Sequence, residues 1–420
     1  MKQFIELVSD AISLRGTSRA IKQIACSLQP SLEVPQWHTG RLWWLRLGYY
    51  ELYRQKEQAD DWVWIVDHTV QIGITKCFVI LGIRLKDLPP TGQSLGHKDV
   101  ELIDLVPVEK SNKEIVYEQL EANIEKTGVP RLIVGDHGPD LKAGVEKFCL
   151  KNQQTDFIYD IKHKTAAVLK REFANNEKWL AFVKEAALTK HRLQRGSLAH
   201  LISPNQRTKA RYMNIDVLVR WGQDVLAFLD EEQSKNGSEY DKEELQEKLG
   251  WVTSFRQSIH SWGEIVQVTN MTESFVRTQG LYSEAELRLE EVLKNLVHDD
   301  YAKKVCEDLI AFVGQEASKA QDEERLLGSS EVIESILGKL KYLEKDQAKS
   351  GFTSLLLSIG AIVSSTASDI ILTALESVPT QKIRNWRQDM LGESIQAKRK
   401  KALNAHRTSE QNWNQLFSQI

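Results

Sequence analysis

Several features are scarce or absent in this chain of 420 residues, and each absence makes a class of protein improbable. It has only four cysteines, none in a Cys-x-x-Cys pair, so neither a disulfide scaffold nor a cysteine zinc site is expected. The longest apolar run, 352–363, has about twelve residues and includes serines, whereas a membrane-spanning helix needs roughly 18. Because no Gly-x-x-x-x-Gly-Lys-Ser/Thr loop occurs, ATP would have to be handled by another protein.

The amino terminus has no cleavable signal pattern, and with so few cysteines we expect a protein of the reducing cytoplasm. The net charge of −3 argues against a uniformly basic nucleic-acid binder. Local charge is different, because residues 382–407 hold eight Lys or Arg against two acids. The densest run is Lys398, Arg399, Lys400 and Lys401, which we interpret either as a solvated helical face or as a surface for duplex DNA.

Hydrophobic periodicity divides the chain into five regions. Residues 1–58 have helical spacing with a break at Gly16, which fits either a helix-turn-helix or a helical cap on the next domain. Residues 59–160 predict the order β-β-β-α-β-α-β, which gives a mixed sheet with helices packed on it. Residues 161–328 are predicted to be all-helical, 329–375 begin with a new helix start, and 376–420 form a basic helical end.

Two aspartates are placed at strand ends in this pattern. Asp67 is predicted to end the strand Trp-Val-Trp-Ile-Val-Asp, and Asp136 to end the strand Leu-Ile-Val-Gly-Asp. A single aspartate at such a position is more often a turn or helix-cap residue. Two of them at strand ends that converge at one edge of a rigid sheet could instead supply the oxygen ligands that a hard divalent cation requires.

This arrangement resembles the RNase H-like core of DDE transposases, in which one aspartate lies in the first strand and another follows the fourth. The resemblance covers about residues 59–345 and implies an α/β fold: an RNase H-like mixed sheet core interrupted by a large all-α insertion, with helical ends. In that family a third carboxylate lies on a later helix. The segment Gly-Ser-Ser-Glu331-Val-Ile-Glu334 is similar to the start of that helix, although Ser330 stands where the best-known bacterial motif has arginine.

Glu334 is the preferred third carboxylate, and Glu331 is the alternative. Many bacterial members have a lysine seven residues beyond the catalytic glutamate, and Lys341 has that spacing from Glu334, with Lys339 nearby. Seven residues are nearly two helical turns, so Lys341 could hold DNA phosphate beside the metals. Glu331 has a sufficient structural role near the positive end of the helix dipole, and we expect Glu334 to lack one.

Two further residues enter through the resemblance. Asp160-Ile-Lys-His163 is similar to an Asp/Cys-x-x-His signature of transposases with an all-helical insertion, the grouping that includes hAT and Transib elements. It implies that His163 positions metal or DNA phosphate, although a helix start with Asp160 as N-cap explains the same residues. In related insertions an aromatic residue can stack on a flipped base, and Trp262 is the candidate here.

The resemblance implies a transposase that cuts element ends and transfers the strands into target DNA. Its metal ligands would be Asp67, Asp136 and Glu334, holding two Mg²⁺ ions for which Mn²⁺ could substitute. Its partner would be double-stranded DNA, and pairing of two ends implies at least a dimer, associated with a bacterial nucleoid and not with a membrane. The alternatives are a catalytically silent transposase-derived DNA-binding protein and an RNase H-like nuclease that cuts without joining.

Overall fold

The computed structural model describes residues 1–28, 34–72, 75–205, 215–235, 237, 240–345, 353–393 and 397–403. Parts of the predicted amino-terminal, insertion and carboxy-terminal regions therefore lie outside the described residues, namely 29–33, 206–214 and 404–420. The chain divides into two compact units. The first is Met1–Pro89, Leu95–Phe157 and Ser330–Ile420, and the second is Pro90–Ser94 and Ile158–Ser329.

A five-stranded mixed sheet has the order β3-β2-β1-β4-β5. The strands are β1 (Trp62–Ile72), β2 (Thr75–Arg84), β3 (Glu101–Val108), β4 (Leu132–Gly135) and β5 (Asp156–Tyr159). β2 pairs antiparallel with both β1 and β3, whereas β4 pairs parallel with β1. The apolar runs explain this sheet, because strands that are covered on both faces need apolar residues at successive positions. The predicted order of strands and helices is confirmed.

One face of the sheet is covered by α4 (Lys113–Thr127) and α5 (Pro139–Lys151). Asn112 caps α4, its side chain accepting from the backbone amides of Glu114 and Ile115, and Pro139 occupies the first position of α5. The buried core on this face combines alternate residues of the strands with one side of each helix: Trp62, Trp64, Val66, Phe78, Ile80, Ile103, Val116, Leu120, Ile133, Leu141, Val145 and Phe148.

The remaining helices of the first unit precede and follow the sheet. They are α1 (Lys2–Ser9), α2 (Leu14–Leu28), α3 (Trp37–Tyr53), α13 (Glu331–Lys345), α14 (Ser358–Val363), α15 (Ser368–Ser377) and α16 (Thr380–Leu391). α3 and α14 pack on each other and contact β3, while α13 contacts α14 and β1. The long apolar run forms part of the core, because 354–363 is buried throughout.

The second unit is built from helices. They are α6 (Ile161–Phe173), α7 (Glu177–Leu193), α8 (Ile215–Ser234), α9 (Lys242–Leu249), α10 (Arg256–Gln279), α11 (Ala285–Leu293) and α12 (Asp300–Ala317). α10 is central, since it contacts α6, α8, α11 and α12. Together with the sheet, this helical stretch confirms the predicted α/β fold class, a mixed sheet core with a large helical region and helices before and after it. Across the described residues, every helix is too short or too polar to cross a bilayer.

Candidate functional site

Asp67 and Asp136 lie side by side at one edge of the sheet. The parallel ladder between β1 and β4 ends with the pair Val66 and Gly135, and each aspartate is the next residue along the chain. β4 ends there, as predicted. The prediction that Asp67 ends its strand was wrong, because β1 continues to Ile72 in an antiparallel hairpin with β2. Asp67 is therefore the point at which β1 leaves its parallel partner.

Local backbone amides hold both carboxylates. The amide of His68 donates to Asp67 Oδ1 at 2.6 Å, and the amide of Gly138 donates to Asp136 Oδ1 at 3.1 Å. A Cβ at Gly138 would lie 3.2 Å from the same Oδ1 atom, so a larger residue there would push the Asp136 carboxylate by a few tenths of an ångström. Both aspartates are partly exposed, so ligands can reach them from solvent.

Strand alternation assigns the Asp67 side chain to the face opposite α4 and α5. Trp62, Trp64 and Val66 enter the core beneath those helices, and successive residues of a strand point to opposite faces. The opposite face is covered near β3 by α14, where a Cβ at Gly360 would lie 3.1 Å from Leu102 Cδ2. Because α13 contacts both α14 and β1, the helix that carries Glu334 packs against the strand that carries Asp67.

The first turn of α13 contains both candidate third carboxylates. Glu331 begins the helix, Glu334 follows within the first turn, and both are partly exposed. Lys341 is exposed, whereas the Nζ atom of Lys339 donates to the carbonyl oxygen of Ser9 at 2.9 Å. The structure therefore gives Lys339 a contact within the protein, and only Lys341 has an exposed side chain.

Asp67, Asp136 and Glu334 do not form a three-ligand metal site in the structure. Within the part of the chain that the structure describes, no three His, Cys, Asp or Glu side chains stand close enough together to hold a metal ion. Asp67 and Asp136 share an edge, and α13 brings Glu334 to the strand of Asp67.

A second polar group lies at the same edge, on the α4 and α5 side, and sequence reasoning missed it. His68 Nε2 is 2.9 Å from Ser111 Oγ, and the imidazole packs against Phe78 with ring centroids 5.2 Å apart. The Ser111 hydroxyl also lowers the pKa of Asp140, and Lys76 Nζ is 3.8 Å from Asp140 Oδ2. The four polar residues come from β1, β2, the loop before α4 and the start of α5, so spacing in the sequence gives no sign of them.

Burial and neighbouring charges shift the ionisation of this group. Burial lowers the pKa of His68, which favours the neutral imidazole, while the nearby charges of Asp140 and Asp136 oppose that shift. Burial alone would raise the pKa of Asp140, but the Ser111 hydroxyl, the backbone amide of Asp140 itself, and the charges of His68 and Lys76 lower it overall. Asp140 is therefore an ionised acceptor near neutral pH.

Comparison with known proteins adds a fold-level likeness only. No protein-family profile and no curated protein matches the chain. Among solved structures, the chain is similar to the Drosophila P element transposase strand transfer complex at 11% sequence identity and a TM-score of 0.41. That match covers 87% of this chain and 93% of the other.

The predicted residues of the helical insertion lie in the second unit. Asp160 is the N-cap of α6, and its Oδ2 atom accepts from the His163 amide at 2.9 Å and lies 2.7 Å from His163 Nδ1. The helix-cap interpretation of this motif therefore describes the observed contacts, and a role of His163 toward DNA stays a prediction.

Trp262 is buried rather than presented to a ligand. Its side chain is 3% exposed, and its ring packs edge-on against Trp179 and near Phe173 and Phe182. A base could stack on it only if this aromatic core opened, so we do not retain Trp262 as a base-stacking residue. A tryptophan at helical spacing has the same sequence signature in a core and on a binding surface.

The carboxy-terminal basic run is on the surface. Residues 397–403 are helical, and Lys398, Arg399, Lys400 and Lys401 are all exposed. Lys401 forms an ion pair with Glu393. Exposed side chains are expected both for a solvated helical face and for a surface that binds duplex DNA, so DNA binding by this run stays a prediction.

Proposed function

We propose that this chain is a DDE transposase that cleaves DNA at element ends and joins them to target DNA. The observation that supports it best is the register of β1 and β4, which puts Asp67 and Asp136 one residue beyond the paired Val66 and Gly135. The contact of α13 with β1 supports a third carboxylate from that helix, which we assign to Glu334.

The donor set fits magnesium by its chemistry. Carboxylate oxygens are the ligands that Mg²⁺ and Mn²⁺ prefer, and the sheet edge holds two of them on a rigid frame. Two such ions, about 3.5–4 Å apart, would activate an attacking oxygen and stabilise the leaving oxygen of a phosphodiester. Asp67 and Asp136 would bind them, with Glu334 completing the site.

The contributions of the chain itself are orientation and charge. The amides of His68 and Gly138 fix one oxygen each of Asp67 and Asp136, so these carboxylates are oriented before any ligand arrives. Exposed Lys341 would bind DNA phosphate from the same helix as Glu334. The exposed basic run at 398–401 would contact duplex further from the cut, and two paired ends require at least two protomers.

The amino-terminal helices offer a further surface for DNA. α1 and α2 are joined by four residues that include Ala11 with φ of 65°, a short turn of the kind that joins the helices of a helix-turn-helix. α2 exposes Arg15, Arg19 and Lys22, and it contains no Asp or Glu. Because these cations are three or four residues apart, they lie on one face of the helix and could follow a phosphate backbone.

A metal-dependent cleavage assay tests the proposed function. The substrate is duplex DNA from either side of the coding region, incubated with Mg²⁺ or Mn²⁺. Asp67→Asn and Asp136→Asn should abolish cleavage and strand transfer while DNA binding persists, because the amide keeps the size of the side chain but loses the charge that holds metal. Asp87→Asn is the matched control, since Asp87 is exposed and follows β2 at the other edge of the sheet.

The assay also separates the alternatives. The absence of a gathered three-ligand cluster among the described residues favours a catalytically silent DNA-binding protein, which would bind DNA and cut under no metal condition. A nuclease without joining activity would cut but would not insert pre-cut ends into a plasmid. If Asp67→Asn and Asp136→Asn both cut as well as the unmodified protein, the proposed site is wrong.

A further inference from the structure

The outer face of α2 carries positive charge that its own segment does not balance. Residues 11–50 contain five Lys or Arg and a single acid, in a chain whose net charge is −3. Three of these cations, Arg15, Arg19 and Lys22, are exposed on α2, and the helix contains no Asp or Glu. A compact cationic surface of this kind attracts an anionic partner such as a phosphate backbone.

The exposed face of α2 has a crest and a flank. The buried residues of the helix are Leu14, Thr17 and Ala25. At about 100° of rotation per residue, the direction opposite these three falls between Arg19 and Gln23 and within about 30° of each. Both are exposed, so they form the crest of the face. Arg15 and Lys22 lie about 70° and 90° to one side of that direction and form its flank.

A helix with this face fits the major groove of duplex DNA. The groove is about 12 Å wide and admits an α-helix, and the 15 residues of α2 span about 22 Å. Crest side chains of a helix in the groove reach base edges, whereas flanking cations meet phosphates. Arginine pairs bidentately with guanine and glutamine with adenine. Arg19 and Gln23 are about one turn apart, so they can reach neighbouring base pairs.

We propose that α2 reads DNA sequence in the major groove, with Arg19 and Gln23 contacting base edges and Arg15 and Lys22 contacting phosphates. The inference rests on the DNA binding of the proposed function and not on its metal chemistry. It assigns the choice of sequence to two named side chains, whereas exposed lysines elsewhere would bind any phosphate backbone.

The helix is fixed to its neighbours, which keeps its position on DNA constant. Arg15 lies over the Trp37 ring at 4.9 Å, and the Ser18 hydroxyl donates to the carbonyl oxygen of Pro35 at 3.0 Å, so α2 is tied to the start of α3. The preceding helix, α1, is held at Ser9, whose carbonyl oxygen accepts from Lys339 of α13. α2 and the candidate carboxylates belong to one compact unit, so the sequence that is read would determine where the strand is cut.

Selection from random-sequence duplex DNA tests the assignment. The full chain is incubated with the library in EDTA, so that no metal chemistry takes part, and the bound DNA is sequenced. The unmodified chain should select a motif with neighbouring G·C and A·T pairs. Arg19→Ala should lose the preference for the G·C pair alone and Gln23→Ala that for the A·T pair alone, each by about 5- to 150-fold. Gln23→Glu should prefer C·G in place of A·T, because a carboxylate accepts from the amino group of cytosine.

The flanking cations should affect affinity without affecting sequence preference. Arg15→Ala and Lys22→Ala should weaken binding of the selected motif and of unrelated duplex alike, and each should reduce the slope of log affinity against log salt by about one. Lys86→Ala is the matched control, since Lys86 is an exposed lysine of the same unit that lies beside Glu57. It should change neither the motif nor the slope. Thermal unfolding of each variant reports any loss of fold.

The inference fails if Arg19→Ala, Gln23→Ala and Gln23→Glu select the same motif as the unmodified chain, or if that chain binds every duplex equally. It also fails if random double-stranded RNA competes as well as DNA, because the narrow major groove of RNA does not admit a helix. Failure of the proposed function has a different signature, in which the chain selects its motif through α2 but does not cut it with Mg²⁺ or Mn²⁺. A chain that cuts DNA while the α2 variants keep the motif contradicts the inference alone.

Discussion

Replacing Gly48 with alanine should destabilise the first unit strongly, although the glycine lies inside a helix where alanine is normally preferred. Gly48 is on α3 at its crossing with α14, where backbone meets backbone without intervening side chains. A Cβ at Gly48 would overlap the carbonyl oxygen of Leu357. From the other side, a Cβ at Gly360 would lie 2.5 Å from the carbonyl oxygen of Gly48.

The size of the effect follows from two opposing terms. Alanine gains about 1 kcal/mol over glycine in a helix interior. Overpacking costs about 1–3 kcal/mol when side chains can adjust, and here the obstacle is a fully buried carbonyl that cannot rotate away. Because the carbonyl cannot move aside, we take the overpacking cost as about 3 kcal/mol or more and expect Gly48→Ala to lower the free energy of unfolding by about 2 kcal/mol or more, a large part of the stability of an ordinary domain.

Urea unfolding followed by circular dichroism measures this free energy, and Gly338→Ala is the matched control. Gly338 is an exposed residue within α13, and a Cβ there would meet nothing within 4 Å, so alanine should stabilise by about 0.5–1 kcal/mol. Because Gly48 and Gly360 share one contact, their double alanine variant should lose less stability than the sum of the single variants. A Gly48→Ala protein as stable as the original would refute the close approach of α3 and α14.

Two further predictions concern α13 and a lysine near it. Glu334→Gln should eliminate cleavage and strand transfer. Glu331→Gln should retain both activities and lower the free energy of unfolding by about 1 kcal/mol. If Glu331→Gln is inactive and Glu334→Gln is active in the metal-dependent assay, Glu331 is the ligand. Lys98 donates to the carbonyl oxygens of Ile362 and Ser364 at 2.6 Å each, and burial lowers its pKa to about 8. Between about pH 8 and about 10.4 the unfolded chain binds more protons at this lysine than the folded chain does, so the free energy of unfolding should rise with pH. Urea unfolding measures this rise against Lys98→Met, which lacks the titrating group. Equal pH slopes in the two proteins would contradict the prediction.

The sheet could be predicted from sequence because its pattern is local. Continuous apolar runs and period-two alternation located all five strands, and their order with the helices allowed one mixed sheet. The length of β1 could not be predicted, since the residues after Asp67 alternate weakly and are polar at His68. Their strand conformation comes from pairing with β2, where His68 lies opposite Phe78, and pairing across a hairpin is a tertiary property.

The polar group beside the candidate site could not be predicted from the sequence for a related reason. His68, Ser111 and Asp140 are separated by 43 and 29 positions, and each residue has an ordinary local explanation as a strand, loop or helix-start residue. Only the parallel pairing of β1 with β4, and the helices that begin at the same edge, bring His68 within hydrogen-bond distance of Ser111 and both residues near Asp140. Spacing in the sequence detects groups on one helix or strand, not groups assembled by the turns of several.

The sequence alone does not decide between Glu334 and Glu331 as the third carboxylate. We expected the helix dipole to explain Glu331 and to leave Glu334 without a structural role, but α13 begins at Glu331 and its first turn contains both acids. The dipole therefore favours a negative charge at either position. What remains in favour of Glu334 is its distance of seven residues from Lys341, an exposed cation that would share its face of the helix. Since that argument depends on contact between Lys341 and DNA, Lys341→Ala should weaken binding of element ends if Glu334 is the ligand and leave it unchanged if the spacing is a coincidence.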